Sequence, residues 1–266
     1  MINCAVLGSP ITHSLSPKIH KKAYEILGVS ASYSAIELDE RTFPDFFAKL
    51  NSKESESEWS GFSLTMPLKE IVLKYCDRSD EFTRQIASAN TLFLSDEQWN
   101  ATSTDLLAFQ NLLDIATDAR VAIIGGGGTA RAAIGALNSK VSSVDVLLRS
   151  ATRLESLTKA APALSVRALD MGASLNNYDL IIQTTPAGVF DEFVPNLQRA
   201  DGTLLEALYA PWPTLLADKF QSEGGRVISG KELLVEQALF QIEIFSNLSF
   251  DFTSMRSLLL DHISSS

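Results

Sequence analysis

The sequence predicts an α/β protein built around a doubly wound parallel sheet. Short apolar strands alternate with helical patterns near the start of the chain and again after residue 120. This alternation is typical of βαβ units, whose right-handed crossovers pack helices against parallel strands. With 266 residues, of which 45% are apolar, the chain can bury a large core and has the length for one large domain or two modest ones.

The first stretch of alternation predicts two strands, each followed by a helix. In chain order, these elements are expected over 3–7, 17–27, 33–38 and 42–50. Ser16 is the expected N-cap of the first helix, Pro17 fits its first turn, and Gly28 ends it. The polar stretch 51–58 that follows is expected to be an exposed loop.

The second stretch predicts a longer parallel sheet with helical crossovers. In chain order, we expect a strand over 121–124, a glycine turn over 125–128, a helix over 129–137, and strands over 144–148, 180–183 and 202–206. A last helix is predicted over 231–245, because Leu234, Ala238 and Ile242 recur there at intervals of four residues.

Composition and charge exclude several classes of function. The net charge of −10 leaves no general basic surface for nucleic acid or for an anionic membrane. Cys4 and Cys76 lie far apart, and the three histidines form no metal-binding spacing, so no metal site is expected. No run of 18 apolar residues occurs. We therefore expect a cytoplasmic protein with reduced thiols.

The glycine turn predicts a dinucleotide site. Gly125, Gly127 and Ala130 occupy the three positions of the pattern G-x-G-x-x-G/A between a predicted strand and a predicted helix. Glycines allow the backbone to approach a pyrophosphate, and the helix N-terminus offers it unpaired N–H groups. The alternative is that the glycines only form a flexible turn.

Two arginines after the second strand of this unit favour NADP over NAD. Arg149 follows the strand directly and Arg153 comes one turn later, while no acidic residue lies between them. An acidic side chain here would bind the ribose hydroxyls of NAD, whereas a guanidinium pairs with the 2′-phosphate of NADP. Both arginines can equally be ordinary solvated surface residues.

Four polar residues outside the glycine turn are candidates for a small-molecule site. Ser14 and Ser16 precede a helix and can both donate to one carboxylate, although turn and capping roles are the more common for such serines. Lys69 follows a predicted strand and turn and can act as an acid or base if its ammonium is held in place. Asp105 is its candidate partner. A surface position for Lys69, and an N-cap role for Asp105 before a helix over 106–113, fit the local sequence better.

Eight segments favour functional roles for these residues over ordinary structural ones. Together, and in their order along the chain, they resemble the shikimate dehydrogenase family (shikimate 5-dehydrogenase), and its actinobacterial members in particular. They include a Ser-x-Ser-Pro loop and a Thr-x-Pro-x-Lys loop. In chain order, the segments are 14–17, 65–69, 88–92, 104–105, the glycine turn with Arg131, 209–214, 225–230, and Gln237.

The resemblance implies a two-domain protein and an activity. Residues 1–104 and 236–266 would form an α/β substrate-binding and catalytic domain, to which the C-terminal helices return. Residues 105–235 would form a Rossmann-like domain that binds NADP. The implied enzyme interconverts 3-dehydroshikimate and shikimate in aromatic amino acid and chorismate biosynthesis, as a monomer or homodimer whose partner is this small-molecule substrate.

The resemblance also implies roles for individual residues. The substrate carboxylate would be bound by Ser14 and Ser16. The ring hydroxyls would be read by Ser63, Thr65, Asn90, Asp105 and Gln237, with Tyr209 nearby, and Lys69 would be the catalytic acid or base together with Asp105. The pyrophosphate would be held by Gly125, Gly126, Gly127, Gly128, Thr129 and Ala130. The adenosine phosphate would be held by Arg149, Ser150 and Arg153. The nicotinamide end would be lined by Thr184, Leu208 and Gly230.

Departures from the family pattern keep two alternatives open. Ser63 and Ser103 stand where asparagine is common and have a shorter reach, while Leu148 changes the surroundings of Arg149. One alternative is therefore a quinate dehydrogenase, or a dual quinate and shikimate dehydrogenase, that uses NAD or NADP. The other is a regulatory protein that binds NADP without turnover.

Overall fold

Two six-stranded sheets organise the computed structural model, which describes residues 1–50 and 58–264. The chain divides into two compact units, Met1–Thr104 with Leu234–Ser266, and Asp105–Leu233. The exposed loop expected over 51–58 lies, except for its last residue, outside the described residues. Among the helices that are described, none is both long and apolar enough to cross a membrane.

The bounds of the elements follow the chain in order. The strands are β1 Ile2–Gly8, β2 Ala31–Glu37, β3 Gly61–Leu64, β4 Arg78–Ser79, β5 Thr91–Ser95, β6 Gln98–Thr102, β7 Val121–Ile124, β8 Ser143–Leu148, β9 Ser165–Asp170, β10 Leu180–Gln183, β11 Thr203–Glu206 and β12 Arg226–Ile228. The α-helices are α1 Ser16–Leu27, α2 Phe43–Leu50, α3 Leu68–Ile71, α4 Glu81–Ile86, α5 Thr104–Leu112, α6 Gly128–Leu137, α7 Leu154–Ala160, α8 Leu215–Ser222, α9 Gly230–Ser246 and α10 Phe252–Ser264. Short 3-10 helices span Val72–Lys74, Ala151–Arg153 and Asp191–Asn196.

The first unit contains a mixed sheet with the strand order β2-β1-β3-β5-β6-β4. β1 pairs in parallel with β2 and β3, as the βαβ pattern predicts, but β5 pairs antiparallel with both β3 and β6. Both faces of this sheet are covered. One apolar cluster joins Ile19 of α1 to Leu239 and Ile242 of α9, and another joins Phe43 of α2 to Phe62.

The start of α1 differs from the expectation in one respect. Ser16 is not the N-cap, because the helix already includes it and Leu15 occupies the capping position. The hydroxyl of Ser14 instead accepts a hydrogen bond from the Ser16 backbone N–H at 3.3 Å. Gly28 ends the helix as expected, with a left-handed φ of 67°.

The second unit confirms the doubly wound parallel sheet, with the strand order β12-β11-β10-β7-β8-β9. Every pairing in it is parallel. The chain moves outward from β7 to β9, returns to β10 beside β7, and moves outward on the other side. Right-handed crossovers therefore place helices on both faces, and the order reverses between β7 and β10, where ligands bind in sheets of this kind.

Candidate functional site

The candidate carboxylate-binding serines lie at the carboxyl end of the first sheet. Ser16 is 6% exposed and Ser14 is half-buried. A hydroxyl that accepts one hydrogen bond keeps its own proton, so Ser14 remains able to donate while it accepts from the Ser16 N–H. The two side chains share the N-terminus of α1, where the helix dipole favours a negative charge.

Thr65 lies next to the segment that leads to these serines. β1 and β3 are parallel neighbours, so the chain leaves both strands at the same edge of the sheet. The Thr65 N–H donates to the Leu7 carbonyl at 2.9 Å, and the Ser9 N–H donates to the Met66 carbonyl at 2.9 Å. A Cβ added at Gly8 would lie 2.3 Å from Thr65 Cγ2, so this close approach requires glycine.

Lys69 lies on the short helix α3 that follows the Thr65 loop. Its backbone carbonyl accepts a hydrogen bond from the Ala89 N–H at 2.8 Å, and the Leu64 N–H donates to the Asn90 carbonyl at 2.8 Å. These bonds fix the segment with Lys69 beside the segment with Asn90. The structure thus places the segment of Lys69, the candidate acid or base, next to the segment of Asn90, a candidate for binding the ring hydroxyls.

Asn90 and Gln237, which are 147 residues apart, are in direct contact. The Asn90 Nδ2 atom donates to Gln237 Oε1 at 3.0 Å. The Asn90 Oδ1 atom accepts from the Thr104 N–H at 2.7 Å, which fixes the orientation of the amide because a backbone N–H only donates. Gln237 Nε2 donates to the Leu234 carbonyl at 2.6 Å. Both amides are therefore held in one orientation.

Ser63 is committed to a hydrogen-bond network inside the first unit. It is 4% exposed, accepts from Tyr33 Oη at 2.6 Å, and donates its single proton to Gln241 Oε1 at 2.7 Å. A substrate hydroxyl could therefore only donate to its remaining lone pair. The substrate-binding role of Ser63 stays a prediction.

Asp105 and Tyr209 belong to the second unit. The helix that was expected over 106–113 begins at Thr104, so the expectation that Asp105 is its N-cap is wrong. Asp105 lies in the first turn of α5 and is 6% exposed. Tyr209 is half-buried in the segment after β11.

The glycine turn leaves space at the N-terminus of α6. Gly125 has a φ of 111°, and a Cβ there would lie 2.5 Å from Thr184 Oγ1. Gly127 caps α6 in an extended conformation, and a Cβ at this position would meet no atom within 4 Å. This open space lies at the N-terminus of α6, at the reversal of strand order, so the turn fits a pyrophosphate.

The first of the two arginines after β8 lies at a cavity of about 490 Å³. Arg149 lines it together with Asp170 and Glu192. Arg153 packs its Cβ against Gly126, where an added Cβ would lie 3.0 Å away. Ser150 caps the 3-10 helix between the two arginines by accepting from the Thr152 N–H.

The two carboxylates in this cavity were not predicted from the sequence. Asp170 ends β9, directly opposite Leu148 in the parallel register, which explains how it comes to lie beside Arg149. Glu192 belongs to the 3-10 helix Asp191–Asn196. The two carboxylates reduce the net positive charge that Arg149 offers to a phosphate.

The residues predicted for the nicotinamide end adjoin the carboxyl ends of β10 and β11. Thr184 Oγ1 donates to the Ile124 carbonyl at 2.7 Å. Gly230 and Leu208 are brought together, because a Cβ added at Gly230 would lie 2.4 Å from the Leu208 carbonyl oxygen. Close backbone approach therefore requires glycine at this position.

Glu206 fixes the segment that carries Leu208 and Tyr209, a role that the sequence analysis missed. It is fully buried at the end of β11. One carboxylate oxygen accepts from the Leu208 N–H at 3.1 Å and the other from Thr214 Oγ1 at 2.8 Å. Burial raises the pKa of Glu206 to about 7 and the nearby Asp191 adds to this rise, although the two hydrogen bonds oppose it.

We expect this carboxyl to make stability depend on pH. Its folded-state pKa lies above its ordinary value of 4.5, so its stabilising contribution is fully present below pH 4.5 and is lost as the pH rises through 7. The loss amounts to on the order of 3 kcal/mol. Urea unfolding across this range will show the decline in the wild type and a flatter profile in Glu206→Gln.

The exposed Glu155 gives a matched control for this effect. Lys159 holds its pKa below the ordinary value, so Glu155→Gln does not remove the decline. Parallel pH profiles for wild type and Glu206→Gln would contradict the prediction.

Comparison with known proteins gives matches over both units. The model of a family described as the shikimate dehydrogenase substrate binding domain matches residues 6–92. A curated shikimate dehydrogenase (NADP(+)) from Exiguobacterium is 30% identical over 263 residues, which are 97% of this chain and 98% of that protein. A protein of the same name from Rhizobium rhizogenes is 32% identical, covering 89% of this chain and 86% of its own.

Two solved structures of shikimate dehydrogenases are also similar to this chain over nearly its whole length. The crystal structure of Mycobacterium tuberculosis shikimate dehydrogenase is similar with a TM-score of 0.86 and 32% identity, covering 99% of this chain and 100% of that one. A Thermus thermophilus shikimate 5-dehydrogenase in complex with NADP(H) and shikimate has a TM-score of 0.82 and 25% identity, covering 98% of this chain and 100% of that one.

Proposed function

Because this chain belongs to the shikimate dehydrogenase family, we propose that it is an enzyme that interconverts 3-dehydroshikimate and shikimate with NADP(H). The observation that carries the proposal is the contact between Asn90 and Gln237 beside the segment of Lys69. Two oriented amides suit a ring that bears several hydroxyls, and the lysine can exchange a proton with one of them.

The first unit is the proposed substrate-binding and catalytic unit. Ser14 and Ser16 would bind the carboxylate at the N-terminus of α1, which favours an anion. Thr65, Asn90 and Gln237 would read the ring hydroxyls. The fixed orientation of the Asn90 amide supports this assignment. Both Nδ2 protons are donated, to Gln237 Oε1 and Thr104 Oγ1, so a ring hydroxyl could only donate to Oδ1, and such a one-way contact discriminates between ring acids.

Lys69 is the proposed acid and base. Its Nζ ammonium would donate a hydrogen bond to the ring oxygen and deliver a proton to it in the direction of reduction. In the direction of oxidation, the neutral amine would take that proton back. Asp105, whose carboxylate only accepts hydrogen bonds, is its proposed partner in this step.

The second unit is the proposed cofactor-binding unit. The glycine turn over 125–130 would hold the pyrophosphate, and Arg149, Ser150 and Arg153 the adenosine phosphate. Thr184, Leu208 and Gly230 would line the nicotinamide end. When NADPH is bound it supplies the hydride. The open space at Gly127 supports this assignment.

We also propose that this enzyme is cytoplasmic and that it is a monomer or a homodimer. The support is that Cys4 and Cys76 are both free thiols, which fits a reducing compartment. Sedimentation of the purified chain will give its oligomeric state.

The proposed function is tested by following nicotinamide absorbance with shikimate or quinate, each with NADP or NAD. Turnover with shikimate and NADP, and much less with the other three pairs, is the expected result. A preference for quinate would overturn the substrate assignment, and a preference for NAD would overturn the roles of Arg149 and Arg153. No turnover in any pair would favour an NADP-binding protein without catalysis.

Removal of Arg149 is expected to weaken NADP specifically. A hydrogen bond to a charged group contributes roughly 1.5–3 kcal/mol, so Arg149→Ala should raise the KM for NADP about 10- to 100-fold and leave that for NAD almost unchanged. The exposed Arg199, which pairs with Asp201, gives a control variant that should change neither value. An equal rise for both cofactors would contradict the 2′-phosphate assignment.

A further inference from the structure

We infer that Gln241 is a positioning residue that sets the affinity for the ring acid. It would do so by joining the four segments of the first unit that carry the proposed substrate-reading side chains. The inference rests on the proposed function and adds to it a residue that makes no contact with substrate itself.

Gln241 lies on α9 with none of its surface exposed. Its Oε1 atom accepts from Ser63 Oγ at 2.7 Å and from His20 Nε2 at 3.2 Å. Its Nε2 atom donates to the Asn90 carbonyl and to Thr91 Oγ1, both at 3.0 Å. The amide therefore uses both of its donors and both of its acceptor sites.

Each of these contacts lies close to a proposed substrate-reading residue. Ser63 is two residues before Thr65 on the same strand and loop. His20 lies one helical turn after Ser16 on α1, and Asn90 is itself such a residue. Gln237 precedes Gln241 by one turn on α9. A single buried amide thus connects four segments that are distant in the sequence.

The network permits one arrangement of its protons. Burial lowers the pKa of His20 to about 3, so its ring is neutral and has one donor and one acceptor nitrogen. The Asn90 carbonyl only accepts, which requires Nε2 of Gln241 to face it. Oε1 must then accept from His20 Nε2, so that His20 Nδ1 accepts from Tyr24 Oη at 3.3 Å. The His20 ring also stacks on Tyr33 at 4.0 Å between centroids.

This arrangement explains why the effect should fall on substrate affinity. Without the amide, the Ser63 and Thr91 hydroxyls would lose buried partners, and buried polar groups shift to regain them. The start of β5 would move, and with it the Asn90 side chain that contacts Gln237. The glycine turn and the arginines of the second unit make none of these bonds.

Steady-state kinetics of Gln241→Met tests the inference, because methionine keeps the length of the side chain but forms none of the four hydrogen bonds. We expect the KM for shikimate to rise about tenfold or more. The KM for NADP should stay within about twofold and kcat should fall less than the affinity does. Gln221→Met on the exposed surface of α8 is the matched control and should change none of these values.

Gln241→Glu gives a second readout that loss of packing would not produce. A protonated glutamate can donate to the Asn90 carbonyl, whereas the carboxylate would place a negative charge against it. The KM for shikimate in this variant should therefore rise with pH relative to the wild type, with partial rescue at acidic pH. The pH dependence of KM in Gln241→Glu also tests the inference if Gln241→Met does not fold.

The outcomes separate the inference from the proposed function. If the wild type turns over shikimate and Gln241→Met keeps its KM, or loses affinity for NADP to the same extent, the inference is overturned alone. A KM of Gln241→Glu that follows the wild type at every pH would overturn it as well. If the wild type gives no turnover with shikimate, the proposed function is overturned and the inference falls with it.

Discussion

Lys69→Ala lowers the rate of shikimate oxidation by about 10²- to 10⁴-fold, the range that general acid–base catalysis contributes. Alanine removes the ammonium that would donate to the ring oxygen and the amine that would accept its proton. Binding of NADP should be unchanged, because the proposed cofactor residues all lie in the other unit. Measurement of kcat together with an NADP titration tests both parts of this prediction.

A neighbouring lysine provides the control for this variant. Lys74 is exposed on the 3-10 helix that follows α3, so Lys74→Ala removes the same charge a short distance along the chain. It should retain the wild-type rate. Turnover by Lys69→Ala at the wild-type rate would remove Lys69 from the mechanism.

Gly127→Val weakens NADP binding by about 100-fold or more while the protein stays folded. The backbone at Gly127 has a φ of −85°, which valine adopts freely, and an added Cβ would meet no protein atom within 4 Å. It would instead fill the space proposed for the pyrophosphate and prevent close approach to the N-terminus of α6. Titration with NADP and thermal unfolding of the same sample give the two quantities.

Gly125→Ala is the informative contrast. Here φ is 111° and the new Cβ would lie 2.5 Å from Thr184 Oγ1, so the fold itself should be destabilised and Tm should fall. If Gly127→Val binds NADP as tightly as the wild type, the turn does not hold the pyrophosphate.

The strands of the second unit were predictable because buried parallel strands read as short, continuous apolar runs. The strands over 121–124 and 180–183 were confirmed at both ends. The β-hairpin formed by β5 and β6 in the first unit was missed for a physical reason. Its two-residue turn has positive φ at Asp96 and Glu97, and such turns are recognised in sequences by Asn-Gly or Asp-Gly.

The candidate site was predictable only where function leaves a local pattern. The glycine turn has such a pattern, since Gly125 needs a positive φ and Gly127 needs open space. Gln241 has none, because its partners lie at least 150 residues away along the chain. Glu206 bonds to the nearby Leu208 and Thr214, but these contacts follow no recognised sequence pattern. The one local signal is a polar residue within an apolar run, which indicates a buried and hydrogen-bonded side chain without saying what it binds.

Isotope labelling shows whether this chain transfers a hydride from NADPH to the ring acid. The purified chain is incubated with 3-dehydroshikimate and NADPH that carries deuterium at the transferable position, and the product is examined by mass spectrometry. We expect shikimate that carries a single deuterium. Unlabelled shikimate, or unchanged 3-dehydroshikimate in the presence of intact NADPH, would contradict it.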